Sequence, residues 1–237
     1  MTLYLHEVHR VIGTSEDAFE AAYRDPGGWM DLLSQGDDAR LLWYLDHAHG
    51  AGPSYQVVTI TAVSDGAAWE RLARRIQSGD LAEWAARVDA LRYDAVGKIL
   101  LPVHWSPLQE TDLAGVPTEP QSHEPTLYME DTGWPDAPLD AYIDFWGRDY
   151  YPLLARQPES SRLLEIQACF QVAHGTHRRR EAILWQRVHS HERLHDLLTT
   201  EVAPERRAPG TYMAEALTYR DQWESKLLRT ARWSPKY

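Results

Sequence analysis

The sequence predicts an α+β protein in which two copies of one strand–helix–strand–strand–helix–strand unit form a pseudo-twofold α+β barrel. The first observation is a set of short strings that recur in the same order in both halves, which indicates an internal duplication. The second is that hydrophobic periodicity gives the same order of strands and helices in each half. The strings are Thr-Leu-Tyr at 2–4 and 126–128, Arg-Leu-Leu at 40–42 and 162–164, Glu-Arg-Leu at 70–72 and 192–194, and Trp-Ser-Pro at 105–107 and 233–235.

The ends of the two halves also match residue by residue. Arg92, Lys98 and Leu100 correspond to Arg220, Lys226 and Leu228 at one constant spacing without a gap. Between the halves lies a stretch with three prolines, four acids and few apolar residues, a composition typical of linkers. We therefore predict a first repeat over residues 1–108, a linker over 109–125 and a second repeat over 126–237.

Local patterns place the elements. Asp65 and Ser190 precede apolar helical periodicity and are predicted N-caps, as is Thr14. Alternation and β-branched content predict strands over residues 2–11, 40–49, 55–63, 98–104, 127–132, 163–172, 181–188 and 226–231. Helical spacing predicts helices that include residues 139–150 and 212–223.

The order βαββαβ is that of the ferredoxin-like unit, whose sheet buries one face under its helices. The other face also needs cover, and two units in one chain can supply it to each other. In element order and repeat positions the chain resembles the dimeric α+β barrel superfamily, especially its duplicated NIPSNAP-like and antibiotic-biosynthesis-monooxygenase-like members. That resemblance implies the barrel, but its members include cofactor-free oxygenases, lyases, isomerases and haem proteins. No catalytic motif of the family matches residue by residue.

Composition excludes several function classes. The formal net charge of −11 argues against nucleic acid and anionic membranes as partners, because phosphate binding needs clustered Lys and Arg. Cys169 is the only cysteine, so no internal disulfide can form and a reducing compartment fits. The chain has neither a secretory leader pattern nor an apolar stretch near the roughly 20 residues of a membrane helix. We expect a cytoplasmic protein, and the sequence is compatible with a homo-oligomer.

Strand alternation predicts which side chains face the barrel interior. Ile166 and Ala168 are expected to face the helices, and Cys169 the interior. A shift of one residue in register would exchange the two faces of a strand. The remaining side chains predicted to face inward are Tyr4, His6, Trp43, His47, Tyr128, Glu130, Glu165 and Gln167.

These inward groups define a candidate active site. A desolvated carboxyl group has a raised pKa and can act as a general base near neutral pH. We therefore predict Glu165 or Glu130 as the base, with His6 as its partner. The alternative is that the two glutamates form structural pairs or lie at the wet barrel mouth. The predicted substrate-binding residues are Tyr4, Trp43, His47, Tyr128 and Gln167.

Two further patterns have a catalytic and a structural interpretation. His191 and His195 belong to an H-E-x-x-H string, which can bind zinc on a helix. The matching string in the first repeat is Trp-Glu-Arg-Leu-Ala, which favours an ordinary packing helix, so a metal site here is only an alternative. Arg92 and Arg220 recur in both repeats, which favours an architectural role that ties helix to strand.

The sequence therefore predicts a small-molecule enzyme without an organic cofactor. It would act on an apolar, aromatic or polyketide-like substrate in the barrel cavity, either by proton transfer, as an isomerase, lyase or cyclase does, or by oxygenation. The alternatives are a non-catalytic small-molecule binding protein and a metal-dependent enzyme that uses zinc or haem.

Overall fold

Eight antiparallel strands close a barrel in this computed structural model, which describes residues 1–176 and 178–237. Around the barrel the strand order is β1-β3-β2-β8-β5-β7-β6-β4. The predicted α+β barrel is thus confirmed. The strands are β1 Leu3–Val11, β2 Ala39–His47, β3 Gln56–Val63, β4 Arg92–Pro102, β5 Leu127–Trp134, β6 Leu164–His174, β7 Ala182–Val188 and β8 Gln222–Thr230.

The helices cover the outer face of the barrel. Asp65 and Ser190 cap their helices as predicted, by accepting hydrogen bonds from the backbone N–H groups of Ala68 and Arg193. Thr14 lies instead in a 3-10 turn, so its prediction as a cap is wrong. The helices are α1 Glu16–Arg24, α2 Trp29–Ser34, α3 Gly66–Ser78, α4 Ala82–Asp89, α5 Leu139–Phe145, α6 Tyr151–Ala155, α7 His191–Thr199 and α8 Tyr212–Ala216, and a π-helical turn over Trp146–Tyr150 joins α5 to α6.

Each repeat forms one half of the barrel, and two seams join the halves. At one seam β2 pairs with β8, with Leu45 opposite Thr230. At the other β4 pairs with β6, with Leu100 opposite Val172. These seams leave no open edge between the halves, which removes the exposed edges that an isolated sheet would have.

The largest differences from the predicted strand boundaries are at the starts of the two closing strands, β4 and β8. The closing strand β4 begins at Arg92, because its pairing with β1 already starts at Val11 opposite Arg92. In the second repeat α8 ends at Ala216, well short of the predicted residue 223. Trp223 lies opposite Gly133 in the β5–β8 ladder, and this pairing takes it out of the helix.

Matching bulges occur in the matching strands β2 and β6. The register shifts between Leu41 and Trp43 in β2, and between Ile166 and Ala168 in β6. Ala168 consequently joins the cluster inside the barrel, whereas Cys169 packs with the helix-side cluster. The expectation that Ala168 faces the helices and Cys169 the interior is therefore wrong, because a bulge shifts the alternation by one residue.

The barrel interior is filled with side chains rather than open. Its apolar part is one cluster of buried aliphatic and aromatic residues from both repeats. The linker adds Leu113 and Val116 to this cluster, and the Tyr4 hydroxyl lies 3.1 Å from Thr111 Oγ1, so the linker covers one end of the barrel. The central substrate chamber expected from the sequence is accordingly occupied by residues that include Leu42, Leu45, Val58, Ile60, Leu100, Phe170, Trp185 and Leu228.

Candidate functional site

A buried ion network crosses the barrel interior. His6 Nε2 on β1 lies 2.7 Å from Glu130 Oε2 on β5, a strand on the opposite side of the barrel. Lys226 Nζ donates to Glu130 Oε1 at 2.8 Å. The side chains of His6 and Glu130 have no solvent exposure. The structure thus brings together two of the predicted catalytic residues and seals them from solvent.

A second ion pair uses the matching lysine of the first repeat. Lys98 Nζ lies 2.7 Å from Glu181 Oε1, and Trp134 Nε1 donates to Glu181 Oε2 at 2.6 Å. Glu181 has no solvent exposure. Each repeat therefore supplies one lysine that neutralises a buried glutamate of the second repeat.

Electrostatics favour a structural role for Glu130. Burial alone would raise the pKa of Glu130, but Lys226 and His6 outweigh it and hold this pKa well below its ordinary value. A carboxylate that is held ionised by two partners, without access to solvent, is poorly placed to take a proton from a ligand. Catalysis by Glu130 and His6 stays a prediction of the sequence.

Glu165 and Gln167 lie together near a mouth of the barrel. Gln167 Nε2 donates to Glu165 Oε2 at 2.7 Å, and His189 Nε2 lies 2.8 Å from the same oxygen. The Glu165 side chain is 38% exposed, and its hydrogen bond with His189 lowers its pKa. Its role as a base is a prediction that this geometry does not favour.

The predicted substrate-binding aromatic residues lie inside the barrel. The ring centroids of Trp43 and Tyr128 are 6.1 Å apart, and both side chains are buried. Tyr4 packs against Phe170 at 5.0 Å. His47 lies at the end of β2, where burial and the charge of Lys226 lower its pKa.

The two histidines of the H-E-x-x-H string are exposed on α7, where Leu194 is the buried residue. Over residues 1–176 and 178–237, no group of three or more His, Cys, Asp or Glu side chains gathers in a way that could hold a metal ion. His191 and His195 thus lack a third ligand within this part of the chain.

A cavity of about 380 Å³ lies between the sheet and the helices of the second repeat. We call it the second-half cavity. Its walls are largely apolar and aromatic, and three of its residues carry polar groups that matter below: Asp131 on β5, Tyr150 on the π-helical turn and Arg220 before β8. The apolar and aromatic residues that line it are Trp146, Leu184, Leu197, Tyr212, Met213, Leu217 and Trp223.

Weakly hydrogen-bonded polar atoms converge on this cavity. Asp131 Oδ1, Trp146 Nε1 and Arg220 Nε are buried, and each lacks a hydrogen-bond partner with good geometry among the described residues. The Tyr142 hydroxyl, which packs against Gly133 of the cavity wall, is in the same state. Buried polar atoms usually have strong hydrogen-bond partners, so this concentration of weakly bonded polar groups makes the cavity a candidate ligand site.

The carboxyl group of Asp131 is fixed by a short chain of hydrogen bonds. Gln186 Nε2 donates to Asp131 Oδ2 at 3.0 Å, and the Tyr150 hydroxyl donates to Gln186 Oε1 at 3.0 Å. Burial raises the pKa of Asp131 to about 6, against the opposing effects of Ser225, Gln186 and Arg220. Gln186 thus fixes one oxygen, and the hydroxyl of Ser225, which lies opposite Asp131 on β8, also hydrogen-bonds to the carboxyl group and lowers its pKa.

Arg220 supplies a positive charge to the same cavity and hydrogen-bonds there with the hydroxyls of Tyr142 and Tyr212. Its guanidinium lies 5.1 Å from the centroid of the Trp223 ring. It has no carboxylate within 4.0 Å in the described part of the chain. Burial raises the pKa values of Tyr142, Tyr150 and Tyr212, and the charge of Arg220 lowers each of them, so this cation lies near all three hydroxyl groups.

The first repeat has a corresponding cavity of about 350 Å³, lined by Trp69, Trp84 and others. Glu7 and Arg92 occupy the positions that match Asp131 and Arg220. Here the arginine is committed, because Arg92 Nε donates to Asp89 at 3.0 Å and Arg92 Nη1 lies 2.7 Å from His9 Nδ1. The two repeats therefore share the acid and the arginine but differ in what the arginine binds.

Sequence reasoning missed the second-half cavity for two reasons. Asp131 points to the helix-covered face, whereas the predicted site contains only side chains expected to face the barrel interior. Arg92 and Arg220 were noticed as a repeated pair and assigned to architecture, which fits Arg92 better than Arg220. The available signal was an acid and an arginine recurring at matching strand positions in both repeats.

Comparison with known proteins is informative only at the level of structure. Neither a scan against protein-family models nor a search of curated proteins gives a match. An anthrone oxidase-like protein superposes with a TM-score of 0.60 at 9% identity, over 97% of this chain and 91% of that chain. A candidate monooxygenase from Lactobacillus acidophilus NCFM gives 0.55 at 10% identity, over 98% and 97%. A candidate chlorite dismutase gives 0.54 at 8% identity, over 99% and 97%.

These structures cover nearly the whole chain, and the chain shares their α+β barrel fold. The resemblance to dimeric α+β barrel proteins that the sequence predicts is confirmed at the level of the fold. At such low identities the likeness establishes the fold and leaves the reaction to be argued from the site.

The haem alternative needs an axial histidine at the cavity. Among the described residues, the lining of the second-half cavity contains no histidine. The residues that line this cavity therefore do not fit a histidine-ligated haem.

No helix in the described residues is both long and apolar enough to cross a bilayer.

Replacing Glu130 with Gln tests the structural interpretation of the ion network. The change leaves His6 and Lys226 facing a neutral amide in a sealed interior, so we expect the free energy of unfolding to fall by roughly 3–5 kcal/mol. Urea denaturation of both proteins measures the difference. Glu165→Gln is the exposed control and should cost less than about 1 kcal/mol. Equal, small losses in both variants would contradict the structural role.

Replacing Gly133 with Ala tests the packing of the cavity wall. A methyl group there would collide with the Tyr142 hydroxyl, so we expect a loss of about 1–3 kcal/mol from overpacking. Gly66→Ala is the matched control, because a Cβ at Gly66 meets open space at the start of α3. Thermal unfolding of the two variants measures the contrast, and an undisturbed Tm in Gly133→Ala would show that Tyr142 does not occupy this position.

Proposed function

We propose that the protein is a small-molecule enzyme that binds an apolar, aromatic or polyketide-like compound in the second-half cavity and begins its reaction by removing a proton. The observation that carries this proposal is the pairing, in one largely apolar cavity, of a buried carboxyl group whose pKa is about 6 with an arginine that has no carboxylate within 4.0 Å among the described residues. A base with a pKa near the working pH and a fixed positive charge are the two groups that proton abstraction from carbon requires.

Each group has a distinct role in the proposed step. Asp131 accepts the proton at Oδ1, while Gln186 holds Oδ2 and Tyr150 holds Gln186. Arg220 stabilises the negative charge that develops on a substrate oxygen conjugated to the reacting carbon. The rings of Trp146, Tyr212 and Trp223 supply flat apolar walls, which favour a planar substrate.

The carbanion formed in this way can follow more than one route. Return of the proton to another carbon gives an isomerisation, and loss of a leaving group gives a lyase reaction. Reaction with O₂ converts a CH₂ group that is conjugated with a carbonyl through an aromatic ring into C=O, with one oxygen atom entering the product and the other leaving as water. The solved structures described as anthrone oxidase-like and as a candidate monooxygenase support this third route. The proposal assigns no organic cofactor.

The asymmetry of the repeats supports the second-half cavity over the first. Burial also raises the pKa of Glu7, the counterpart of Asp131. However, Arg92 is held by Asp89 and contacts His9, so it has less positive charge to offer a substrate than Arg220 does. The cavity of the first repeat therefore serves as an internal control for the second-half cavity.

The matched pair Asp131→Asn and Glu7→Gln tests this proposal, with anthrone as the probe. Proton abstraction is followed as deuterium exchange at its CH₂ carbon in D₂O under argon, and oxidation as anthraquinone formation in air. We expect Asp131→Asn to lose at least about 100-fold of the enzyme-catalysed rate, because the base is gone, while Glu7→Gln retains it. In the wild type, kcat/KM should rise with pH to a plateau above about 6, where Asp131 becomes ionised.

Retained exchange in Asp131→Asn would contradict the assignment of the base. Loss in Glu7→Gln but not in Asp131→Asn would move the site to the first repeat. Binding of anthrone to the wild type without faster exchange or oxidation would contradict catalysis on this probe and favour the non-catalytic binding protein.

A further inference from the structure

The three lysines of the chain have unequal environments. Lys98 and Lys226 are the two that pair with buried glutamates inside the barrel, and the third is Lys236. Lys236 has no carboxylate within 4.0 Å in the part of the chain that the structure describes. All other positively charged side chains of the protein are arginines. Among the described residues, Lys236 is thus the one lysine whose ammonium group has no carboxylate partner.

Lys236 lies at a pocket of about 280 Å³ at a mouth of the barrel. We call it the mouth pocket. Three aromatic rings contribute to its walls, two of them from residues that the sequence analysis predicted to bind substrate. The residues that matter here are Trp43, Leu108, Tyr128, Gln167, Lys236 and Tyr237.

The chain segment that carries Lys236 is anchored at several points. The backbone N–H of Lys236 donates to Leu42 O at 2.8 Å, and Ser234 Oγ donates to Lys236 O at 2.8 Å. The ring of Tyr237 stacks on His123 of the linker with centroids 3.7 Å apart. The backbone at Lys236 is therefore fixed, and its side chain is positioned at the mouth rather than free in solvent.

The surroundings of the ammonium group are apolar and aromatic. Lys236 Nζ lies 5.7 Å from the centroid of the Trp43 ring, and burial lowers the pKa of Lys236. The Tyr128 hydroxyl hydrogen-bonds with Trp43 beside it. The half-buried ammonium group therefore faces aromatic rings, without the negative partner that such a cation normally has.

Glu165 does not fill that role. Its Oε2 already lies within 2.8 Å of His189 Nε2, and the amide of Gln167 binds the same oxygen. Arg162 lies 3.8 Å from Oε1. Glu165 is therefore committed to other partners, whereas Gln167 contributes to the lining of the mouth pocket.

We propose that the mouth pocket binds a small aromatic carboxylate, whose charge pairs with the Lys236 ammonium and whose ring packs against Trp43, Tyr128 and Tyr237. The volume of about 280 Å³ accommodates a body of one or two fused rings. This site is separate from the second-half cavity, which lies on the helix-covered face of the sheet. It gives the residues Trp43, Tyr128 and Gln167 a binding role at the mouth.

The presence of only three lysines makes a site-specific test available. Protein labelled with ¹³C-lysine should show three Cε resonances, and Lys236→Arg identifies that of Lys236. The probe is 2-naphthoate, with 2-naphthalenemethanol as its neutral counterpart. We expect 2-naphthoate to shift the Lys236 resonance saturably while the signals of Lys98 and Lys226 stay in place.

Calorimetry with variants then measures the contribution of the charge. Lys236→Met should weaken 2-naphthoate binding by about tenfold or more, and Lys236→Arg should stay within about threefold of the wild type. 2-Naphthalenemethanol should bind the wild type about as weakly as 2-naphthoate binds Lys236→Met. Asp131→Asn should leave the Lys236 shift unchanged, which separates this site from the proposed catalytic one.

Two results would overturn the proposal. One is the absence of a saturable Lys236 shift up to about 10 mM 2-naphthoate. The other is equal affinity of 2-naphthoate for the wild type and Lys236→Met, because the carboxylate would then lie elsewhere. Neither result bears on Asp131, so the proposed function would stand or fall separately.

Discussion

Pairing of charge inside the barrel is the constraint on which the rest of the structure depends. Glu130 on β5 binds His6 on β1, across the barrel, and Lys226 on the adjacent strand β8. Glu181 lies against Lys98. Burying a carboxylate without such partners would destabilise the folded state by several kcal/mol. The strands of the two repeats must therefore keep the register that places these charges opposite one another. The apolar side chains fill the remaining space. An interior built in this way joins the repeats but leaves little room for a substrate.

Function is therefore expected where the two repeats have diverged, on the helix-covered faces of the sheet. Both repeats keep an acid on the first strand and an arginine near the last. In the first repeat Arg92 is bound to Asp89 and contacts His9. In the second repeat Arg220 hydrogen-bonds with the hydroxyls of Tyr142 and Tyr212 and has no carboxylate within 4.0 Å among the described residues. The two repeats thus differ in whether a carboxylate neutralises the arginine.

The sequence was sufficient for the architecture because a duplication fixes element order twice. Alternation along β1 and β5 was also enough to predict that His6 and Glu130 meet. The same alternation gave the wrong faces for Ala168 and Cys169, because a bulge in β6 adds one residue and a strict period of two does not predict it. It also failed at Asp131, because nothing in one strand reveals whether an outward carboxyl group lies under a packed helix or beside a cavity. That distinction depends on the gap between helix and sheet, which the packing of α8 and the π-helical turn determines.

The central claim is that Asp131 is a buried carboxyl group poised by its cavity. A ¹³C NMR titration of the Asp131 carboxyl carbon tests it most directly, in the wild type and in Arg220→Met. We expect a midpoint at about 6 in the wild type. In Arg220→Met the midpoint should be higher, because Arg220 lowers the pKa of this group. A midpoint near the ordinary value of 3.8 that does not respond to loss of Arg220 would contradict it.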